Sequence, residues 1–247
     1  MNSDSLLVWS SACETHPGKI RKVNEDACLD LPELGLWAVA DGMGGHEAGD
    51  VASHLIVNQL KNIREPSVIH GFVAEVKACL AEANRQLRAL ATQCYHQRTI
   101  GSTVVAMAAF GNQCAFLWVG DSRVYRLRNG SLEKLTKDHS MVEEYIDQGL
   151  LHPDEAETSS IANVITRAIG ADDKLEIDCR IDTMCGGDVY LLCSDGLYRE
   201  VTNEQIIQGM AIDNCTDSAK RLLDLALENE ARDNITGSIV QIKKAFN

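Results

Sequence analysis

The sequence predicts an α+β fold in which antiparallel β-sheets pack together and α-helices lie outside them. Short apolar runs typical of β-strands occur near the start, in the middle and near the end of the chain. Between these runs lie longer segments whose apolar residues recur every three or four positions, which is typical of amphipathic helices. Because strands and helices come in blocks and do not alternate strictly, antiparallel sheets are favoured over a parallel βαβ sheet.

The first block contains three strand-like runs and two helices. The runs are LLVWSSA, ACLDL and LWAVA, and the last stops abruptly at Asp41-Gly42. Apolar residues then follow helical spacing from Ala48 to Ile63, and Glu65-Pro66 ends this helix, since helical geometry is disfavoured before a proline. A second helix begins after Ser67, whose side chain is a suitable N-cap, and its apolar face continues to Leu90.

The middle block has the pattern of an antiparallel meander. Its runs are TVVAMAAF, CAFLWVGD and SRVYRLR, and the turn dipeptides Gly111-Asn112 and Asn129-Gly130 join neighbouring strands. A helix from Ser140 to about Gly149 follows. The acidic stretch from His152 to Ser160 is expected to be a surface loop.

The last block begins with the strand-like run DVYLLCSD. A helix capped at Thr202 follows, with Gln205 placed to complete a capping box. Another helix is expected from Ser218 to Glu228, and the run GSIVQIK predicts a final strand.

Length and composition favour one soluble domain. A chain of 247 residues without a Pro/Gly/Ser-rich or charged linker is expected to form a single domain, residues 1–247. Its net charge of −13 argues against a nucleic-acid partner, because such binding needs clustered Lys and Arg. No apolar run approaches the roughly 18 residues needed to cross a bilayer, and the first residues lack the pattern of a secretory signal. Membrane insertion is therefore not expected, and a cytoplasmic location is.

The nine cysteines fit the same compartment. They include no CxxC pair, and a chain of this size needs no covalent staples, so reduced and mostly buried thiols are expected. Cys193 lies close to Asp195 in sequence and could be a catalytic thiol. Its place in the apolar run VYLLC favours the alternative, a residue of the core.

Four aspartates that are far apart in the chain each lie at the end of a strand-like run: Asp26, Asp41, Asp195 and Asp233. Hard divalent cations prefer carboxylate, carbonyl and water oxygens, and carboxylates converging from several strand ends can hold a pair of them. Each Asp-Gly dipeptide alone is more typical of a plain turn. In ADGMGGHEAG, however, more glycine precedes a helix than packing requires, which indicates close backbone approach to an ion or a phosphate.

Eight segments, in this order, resemble the compact bacterial form of the PP2C-type (PPM) metal-dependent serine/threonine protein phosphatases. They are RKVNED, VADGMGGHEAG, GSTVV, VGDSRVYRLRNG, LTKDHS, NVITRAIG, DVYLLCSDGL and ARDNITG. One segment alone is weak evidence, but eight in the family's order are specific. The resemblance implies a β-sandwich of two antiparallel sheets flanked by helices in four αββα layers, with a binuclear Mn²⁺ or Mg²⁺ centre at one end.

The resemblance also implies a set of metal ligands. Asp41 is expected to bridge the two cations, and Asp26, Asp195 and Asp233 are expected to supply further carboxylates. Gly42 would contribute its backbone carbonyl, and waters would complete the coordination shells. The cations would then activate water for in-line attack on phosphorus, without a covalent phosphoenzyme.

Arg21 and Glu25 flank the first of these ligands. Arg21 stands where the family keeps an arginine that binds the substrate phosphate, a task that suits the planar guanidinium fork. The alternative for Arg21 is a solvated charge beside Lys19 and Lys22. Glu25 is expected to orient metal-bound water and not to bind a metal directly.

The proton donor to the leaving group stays open. Some relatives carry a histidine two residues after the bridging aspartate, but this chain has Met43 at that position. His46 could act through water as the donor, or it could cap or line the following helix. A metal-bound water is the remaining candidate.

Two further features concern metal number and specificity. Asp121 matches a residue that, in bacterial relatives, helps to hold a third and weaker ion together with Asp195; the alternative is a turn aspartate. Residues 141–162 correspond to the family's flap beside the site. Their acidity could favour basic residues around the phosphorylated one, or it could serve solubility alone.

The resulting hypothesis is a monomeric protein phosphatase that acts on phosphoserine and phosphothreonine and reverses a bacterial Ser/Thr kinase. The alternatives are a catalytically silent relative that binds a phosphoprotein, and a Ca²⁺-binding structural module. Retention of the carboxylates and Arg21 argues against the silent relative, and the lack of a DxDxDG loop argues against the Ca²⁺ module. The stretch GLWAVADGMGGHEAGD is also similar to phosphatases paired with a kinase in type VI secretion.

Overall fold

The computed structural model describes residues 6–44, 48–65, 67–94, 99–155, 159 and 161–245. The strands in these ranges are β1 (Leu7–His16), β2 (Asp26–Leu31), β3 (Leu36–Met43), β4 (Gly101–Ser102), β5 (Val104–Phe110), β6 (Gln113–Val119), β7 (Arg123–Arg128), β8 (Ser131–Lys134), β9 (Asp178–Thr183), β10 (Val189–Cys193) and β11 (Ile235–Lys244). The α-helices are α1 (Ala48–Leu60), α2 (Ile69–Cys94), α3 (Met141–Asp147), α4 (Asp195–Tyr198), α5 (Asn203–Met210) and α6 (Cys215–Glu228), and a 3₁₀ turn covers Pro153–Glu155.

The strands form two antiparallel sheets. One sheet has the order β1-β11-β10-β7-β8, and the other has the order β2-β3-β5-β6-β9, with the short β4 pairing with β3. In the first sheet, the ladder between β1 and β11 runs from Leu7 opposite Lys244 to His16 opposite Ile235. Strands from the two ends of the described chain are therefore direct neighbours.

The two sheets pack face to face, and helices cover their outer faces. In β3 the side chains alternate: Trp37 and Val39 belong to the core between the sheets, together with Tyr190 of β10. Leu36 and Ala38 belong instead to the core beneath α1 and α2. A third core lies between the other sheet and helices α5 and α6. This arrangement confirms the predicted αββα sandwich.

The structure differs from the prediction in one helix boundary and in elements that were not predicted. Helix α1 ends at Leu60, a few residues before the predicted stop at Glu65-Pro66. Strands β8 and β9 and the short helix α4 were not predicted. The charged residues of β9 hide its strand character, because Arg180 pairs with Glu133 of β8 at 3.2 Å and with Asp182 at 3.1 Å.

Among the helices of the described residues, none combines the length and hydrophobicity required to cross a bilayer.

One cysteine pair contradicts the expectation of nine reduced thiols. Cys13 of β1 and Cys28 of β2 form a disulfide bond, which joins the edge strands of the two sheets. Their spacing carries no signal, because the pair meets only through the packing of one sheet edge on the other. The other seven cysteines are free.

Candidate metal centre

Two of the predicted ligands face each other across a strand pair. The antiparallel register of β2 and β3 places Asp26 directly opposite Asp41. Only 3% of the Asp26 surface is exposed, whereas Asp41 is partly exposed near the end of β3. Because directly opposed residues extend from the same face of a sheet, both carboxylates lie on one side of this strand pair.

Hydrogen bonds from Ser102 and Thr103 fix the backbone of Asp41. Its carbonyl oxygen accepts from the Thr103 amide and from the Ser102 hydroxyl, both at 2.8 Å. Oγ1 of Thr103 lies 2.7 Å from Oγ of Ser122, next to Asp121. One hydrogen-bonded frame therefore holds both Asp41 and the turn that carries Asp121.

Gly42 lies where no side chain fits. A Cβ atom at this position would collide with the backbone carbonyls of Gly49 and Glu25. The Gly42 amide donates to the Glu25 carbonyl at 3.1 Å, and Oε1 of Glu25 accepts from the Gly49 amide at 3.2 Å. The Glu25 side chain thus ties the start of α1 to the chain before β2, which agrees with an indirect role for this residue.

Asp195 and Asp233 reach the same region from the other sheet. Asp195 follows β10 and begins α4, and its charge acts on the carboxyl group of Asp41. Asp233 lies just before β11 and is within electrostatic reach of Asp26 and Asp41. The four predicted carboxylates therefore form one cluster where the two sheets meet.

Two polar residues that the sequence analysis missed hold this cluster together. The buried Ser194 donates from Oγ to Oδ2 of Asp26 at 2.8 Å and accepts from a backbone amide of β11 at 3.0 Å. Asn234 accepts from the Glu25 amide at 2.7 Å, and its Nδ2 donates to two carbonyls of the segment 17–23, at 3.0 Å each. Each residue is the sequence neighbour of a predicted ligand, and this is the signal that could have revealed it.

Burial and mutual repulsion raise the pKa values of the clustered carboxyl groups. For Asp26, burial is the largest cause and the charges of Asp195 and Asp233 add to it, which raises the pKa to about 7. Burial, followed by the charge of Asp195, also raises the pKa of Asp121 to about 7. The pKa of Asp41 is raised well above its ordinary value by burial and then by its acidic neighbours. Such a cluster favours the binding of cations.

The donor set fits partly hydrated divalent cations. Oδ1 of Asp26 is buried and has no hydrogen-bond partner among the described residues, so it is an acceptor that lacks a donor. Within those residues, no three His, Cys, Asp or Glu side chains converge tightly enough to enclose an ion by themselves. Mg²⁺ typically keeps several waters and takes only one or two carboxylates from the protein. The cluster therefore suits cations that share carboxylates and retain water, and not an ion caged by side chains alone.

Arg21 lies at the exposed side of the cluster. Its Nη2 donates to Oδ2 of Asp233 at 2.8 Å, and 52% of the Arg21 side chain remains exposed. A guanidinium has five N–H donors, so Arg21 can contact Asp233 and an incoming anion at the same time. Arg21 therefore lies at the exposed edge of the cluster, paired with Asp233, and its part in binding phosphate stays a prediction.

Asp121 is joined to the cluster by an arginine that the sequence analysis did not consider. Asp121 is 5% exposed, and its Oδ2 lies 3.7 Å from Nη2 of Arg199. Nε of the same arginine lies 3.1 Å from Oδ2 of Asp195. The available signal was the spacing, since Arg199 follows Asp195 by four residues, about one helical turn.

A cavity of about 290 Å³ lies beside this arginine. Its walls come from the loop after β6, the start of α3, the segment 161–164 and helix α4. The lining residues include Asp121, Asp138, Glu143, Ala162, Tyr198 and Arg199. The cavity thus adjoins the carboxylate cluster on the side of the predicted flap.

Two other predicted residues have different outcomes. His46 lies outside the described residues, so its part as proton donor stays a prediction. Cys193 is fully buried, and burial raises the pKa of its thiol to about 12. Because the thiolate is the nucleophile in cysteine chemistry, this thiol is inert near neutral pH. Cys193 is therefore a packing residue.

Comparison of the sequence with known families and proteins gives consistent matches. A family model described as Protein phosphatase 2C matches residues 19–235. The serine/threonine protein phosphatase PstP of Mycobacterium tuberculosis (strain H37Rv) is 34% identical over 236 residues, which are 96% of this chain and 45% of PstP. The chain thus spans less than half the length of that relative. The serine/threonine phosphatase stp of Listeria monocytogenes (strain EGD-e) is 32% identical over 237 residues, covering 92% of this chain and 93% of stp.

Solved structures give the same result. PppA, described as a key regulatory component of T6SS in Pseudomonas aeruginosa, is 41% identical with a TM-score of 0.88, covering 95% of this chain and 98% of PppA. The catalytic domain of PstP, solved in complex with two manganese ions, is 33% identical with a TM-score of 0.86, covering 96% of this chain and 99% of that one. Both likenesses extend over nearly the whole chain.

Proposed function

The chain belongs to the protein phosphatase 2C family, and from this premise we propose that it is a metal-dependent phosphatase acting on phosphoserine and phosphothreonine in proteins. The observation that carries the proposal is the cluster of Asp26, Asp41, Asp195 and Asp233, which two sheets bring together around a buried acceptor oxygen without a donor. Mn²⁺ or Mg²⁺ is the proposed cofactor, with two core ions and a third, weaker one at Asp121. The two manganese ions in the PstP structure support this choice.

The chain's carboxylates would position the cofactor. When bound, two divalent cations supply Lewis acidity that lowers the pKa of water and offsets the negative charge of a phosphate. Asp41, which lies opposite Asp26 and within electrostatic reach of Asp195, would serve both ions. Asp233 and the Gly42 carbonyl would complete the protein's share of the ligands.

Arg21 would position the substrate. Held by Asp233 at the mouth of the cluster, its guanidinium fork could donate hydrogen bonds to two oxygens of a phosphate and so orient the phosphate beside the cluster. Ser194 and Asn234 would hold the strand ends together, because Ser194 bonds to Asp26 of β2 and Asn234 bonds to the amide of Glu25 just before β2. Cys193, close to the cluster, is buried and its raised pKa keeps it protonated, so it would not act as the nucleophile. Water would take that part.

Hydrolysis of phosphoserine and phosphothreonine peptides tests this proposal. We expect turnover with Mn²⁺ or Mg²⁺, loss of turnover in EDTA, and recovery when the metal is restored. Asp41→Asn is expected to be inactive, whereas Asp30→Asn, on the exposed part of β2, serves as the matched control with normal activity. Full turnover in chelator would overturn the proposal. Phosphopeptide binding without turnover in any metal would favour the silent relative.

We further propose that the protein acts in the cytoplasm as a monomer and reverses the work of a bacterial Ser/Thr kinase. Its likeness to PppA, a protein described as a key regulatory component of T6SS, supports a regulatory role. In a strain carrying Asp41→Asn, the occupancy of a defined set of phosphoserine and phosphothreonine sites should rise. Deletion of the cognate kinase should remove that rise, and an unchanged phosphoproteome would contradict the proposal.

A further inference from the structure

Arg199 spans two carboxylates of the proposed metal site. It lies one helical turn after Asp195, so both side chains extend from the same face of the chain at α4. Its Nε is 3.1 Å from Oδ2 of Asp195, and its Nη2 is 3.7 Å from Oδ2 of Asp121. The guanidinium therefore neutralises the same oxygens that a cation shared by this pair would use.

The same guanidinium holds the start of the segment 161–164. Nη2 donates to the Ala162 carbonyl at 3.1 Å, and Nη1 donates to Oδ1 of Asn163. The far end of the segment is held independently, because the Met141 amide donates to the Val164 carbonyl at 2.9 Å. Arg199 thus connects the carboxylate pair to one end of this segment and not to the other.

We propose that Arg199 is a positioning residue that latches the segment 161–164 to Asp121 and Asp195, and that a divalent cation bound by these two carboxylates displaces it. The inference rests on the proposed function, since it takes the pair as metal ligands. A guanidinium and a metal cation on the same Oδ2 atoms repel each other, so both cannot be held there at full strength. Displacement removes two hydrogen bonds from the segment at the same time.

The latch also forms part of the cavity wall beside the site. Ala162 and Arg199 line the cavity of about 290 Å³ together with Asp121. Release of Ala162 would widen this cavity where it adjoins the cluster. Occupancy of the Asp121–Asp195 pair would in this way control how much of a phosphoprotein substrate can enter next to its phosphate.

Thermodynamic linkage gives two matched measurements. Suppose that cation binding weakens the contact of Arg199 with the segment by some factor. Loss of that contact must then tighten cation binding by the same factor, and typical coupling factors lie between about 5-fold and 150-fold. In Arg199→Gln, calorimetric titration with Mn²⁺ should show the weakest site bound roughly tenfold more tightly than in wild type, with the two tight sites unchanged. Arg85→Gln, which removes an exposed arginine paired with Glu82 on α2, is the control for lost charge.

Hydrogen exchange at the Ala162 amide reports the latch directly, because this amide donates to the Ser159 carbonyl at 3.0 Å within the latched turn. With only the tight sites filled, Arg199→Gln should exchange faster at Ala162 than wild type, while the Met141 amide, bonded to Val164, stays protected. In wild type, raising Mn²⁺ to fill the weakest site should produce the same acceleration. In the variant, further Mn²⁺ should change nothing.

The inference and the proposed function fail in different ways. A protein that binds no Mn²⁺ and hydrolyses no phosphopeptide would refute the proposed function. Two tight ions and normal turnover, combined with exchange at Ala162 that does not respond to Mn²⁺ in wild type, would overturn the latch alone. The wild-type exchange measurement decides this even where Arg199→Gln folds poorly.

Discussion

Replacement of Asp26 by asparagine is expected to stabilise the metal-free protein at neutral pH, although it removes a proposed ligand. The carboxylate is 3% exposed and one of its oxygens has no hydrogen-bond partner among the described residues. Without a cation, its charge is buried beside the charges of Asp195 and Asp233. Asparagine keeps the shape and can still accept the Ser194 hydrogen bond, but it carries no charge.

The pKa of Asp26 sets the magnitude. Burial, assisted by its acidic neighbours, raises this pKa from an ordinary 3.8 to about 7 in the folded protein. Between these two values the folded state binds more protons than the unfolded state, so the free energy of unfolding falls as pH rises and then levels off above pH 7. At about 1.4 kcal/mol per tenfold change in acidity, the full effect is about 4 kcal/mol at pH 8. For a chain of this length, that corresponds to a rise in Tm of about 10 °C for Asp26→Asn.

Thermal unfolding in EDTA at a series of pH values measures this effect. The difference in Tm between Asp26→Asn and wild type should be near zero around pH 4, grow up to pH 7 and stay constant at pH 8. With saturating Mn²⁺ the order should reverse, because wild type gains more from the metal. Asp30→Asn, exposed on the same strand, should show neither change. A metal-free Asp26→Asn protein that is no more stable than wild type at pH 8 would refute the reasoning.

The remaining predictions concern the other residues of the site. Asp41→Ala should abolish phosphopeptide turnover and Mn²⁺-induced thermal stabilisation together, and retained stabilisation would mean that another group bridges the ions. Arg21→Ala should raise KM for a phosphopeptide roughly tenfold and lower kcat less, as expected for a group that binds phosphate before and during reaction; an unchanged KM would return Arg21 to the surface-charge interpretation. Cys193→Ser should keep most of the turnover and cost about 1 kcal/mol of stability, and its inactivation in the folded fraction would revive the catalytic thiol.

Local sequence signals were reliable where one short segment determines the structure. At Thr202 and Gln205 both hydrogen bonds of the predicted capping box are present, at 3.3 Å and 2.8 Å. The runs around Trp37 and Tyr190 are apolar enough to be recognised as strands without knowledge of their neighbours. The strand β9 was missed because its charges are partly satisfied by residues distant in the chain, with Arg180 paired to Glu133 of β8 and Asp182 paired to Arg126 of β7, and no local pattern shows these pairs.

The candidate site divides in the same way. Asp41 and Asp195 could be found from the sequence because each follows an apolar strand-like run. Asp26 and Asp233 instead come at or before the start of β2 and β11, and they were recognised through the resemblance of RKVNED and ARDNITG to the family. The contact of Arg199 with Ala162 and the bond between Cys13 and Cys28 could not be found, because residues distant in the chain meet there only after the layers pack. These contacts depend on tertiary packing, which cannot be read from any short stretch of the sequence.

The neighbouring positions of β1 and β11 determine when the site can form during protein synthesis. A ribosome that has completed β3 has already produced Asp26 and Asp41, but Asp233 and the strand that places it emerge about 10 to 40 s later at typical rates of translation. Until then β1 lacks its partner along the whole ladder from Leu7 to His16. The full set of proposed ligands therefore exists only after this late stage of synthesis, and an unfinished chain would lack Asp233.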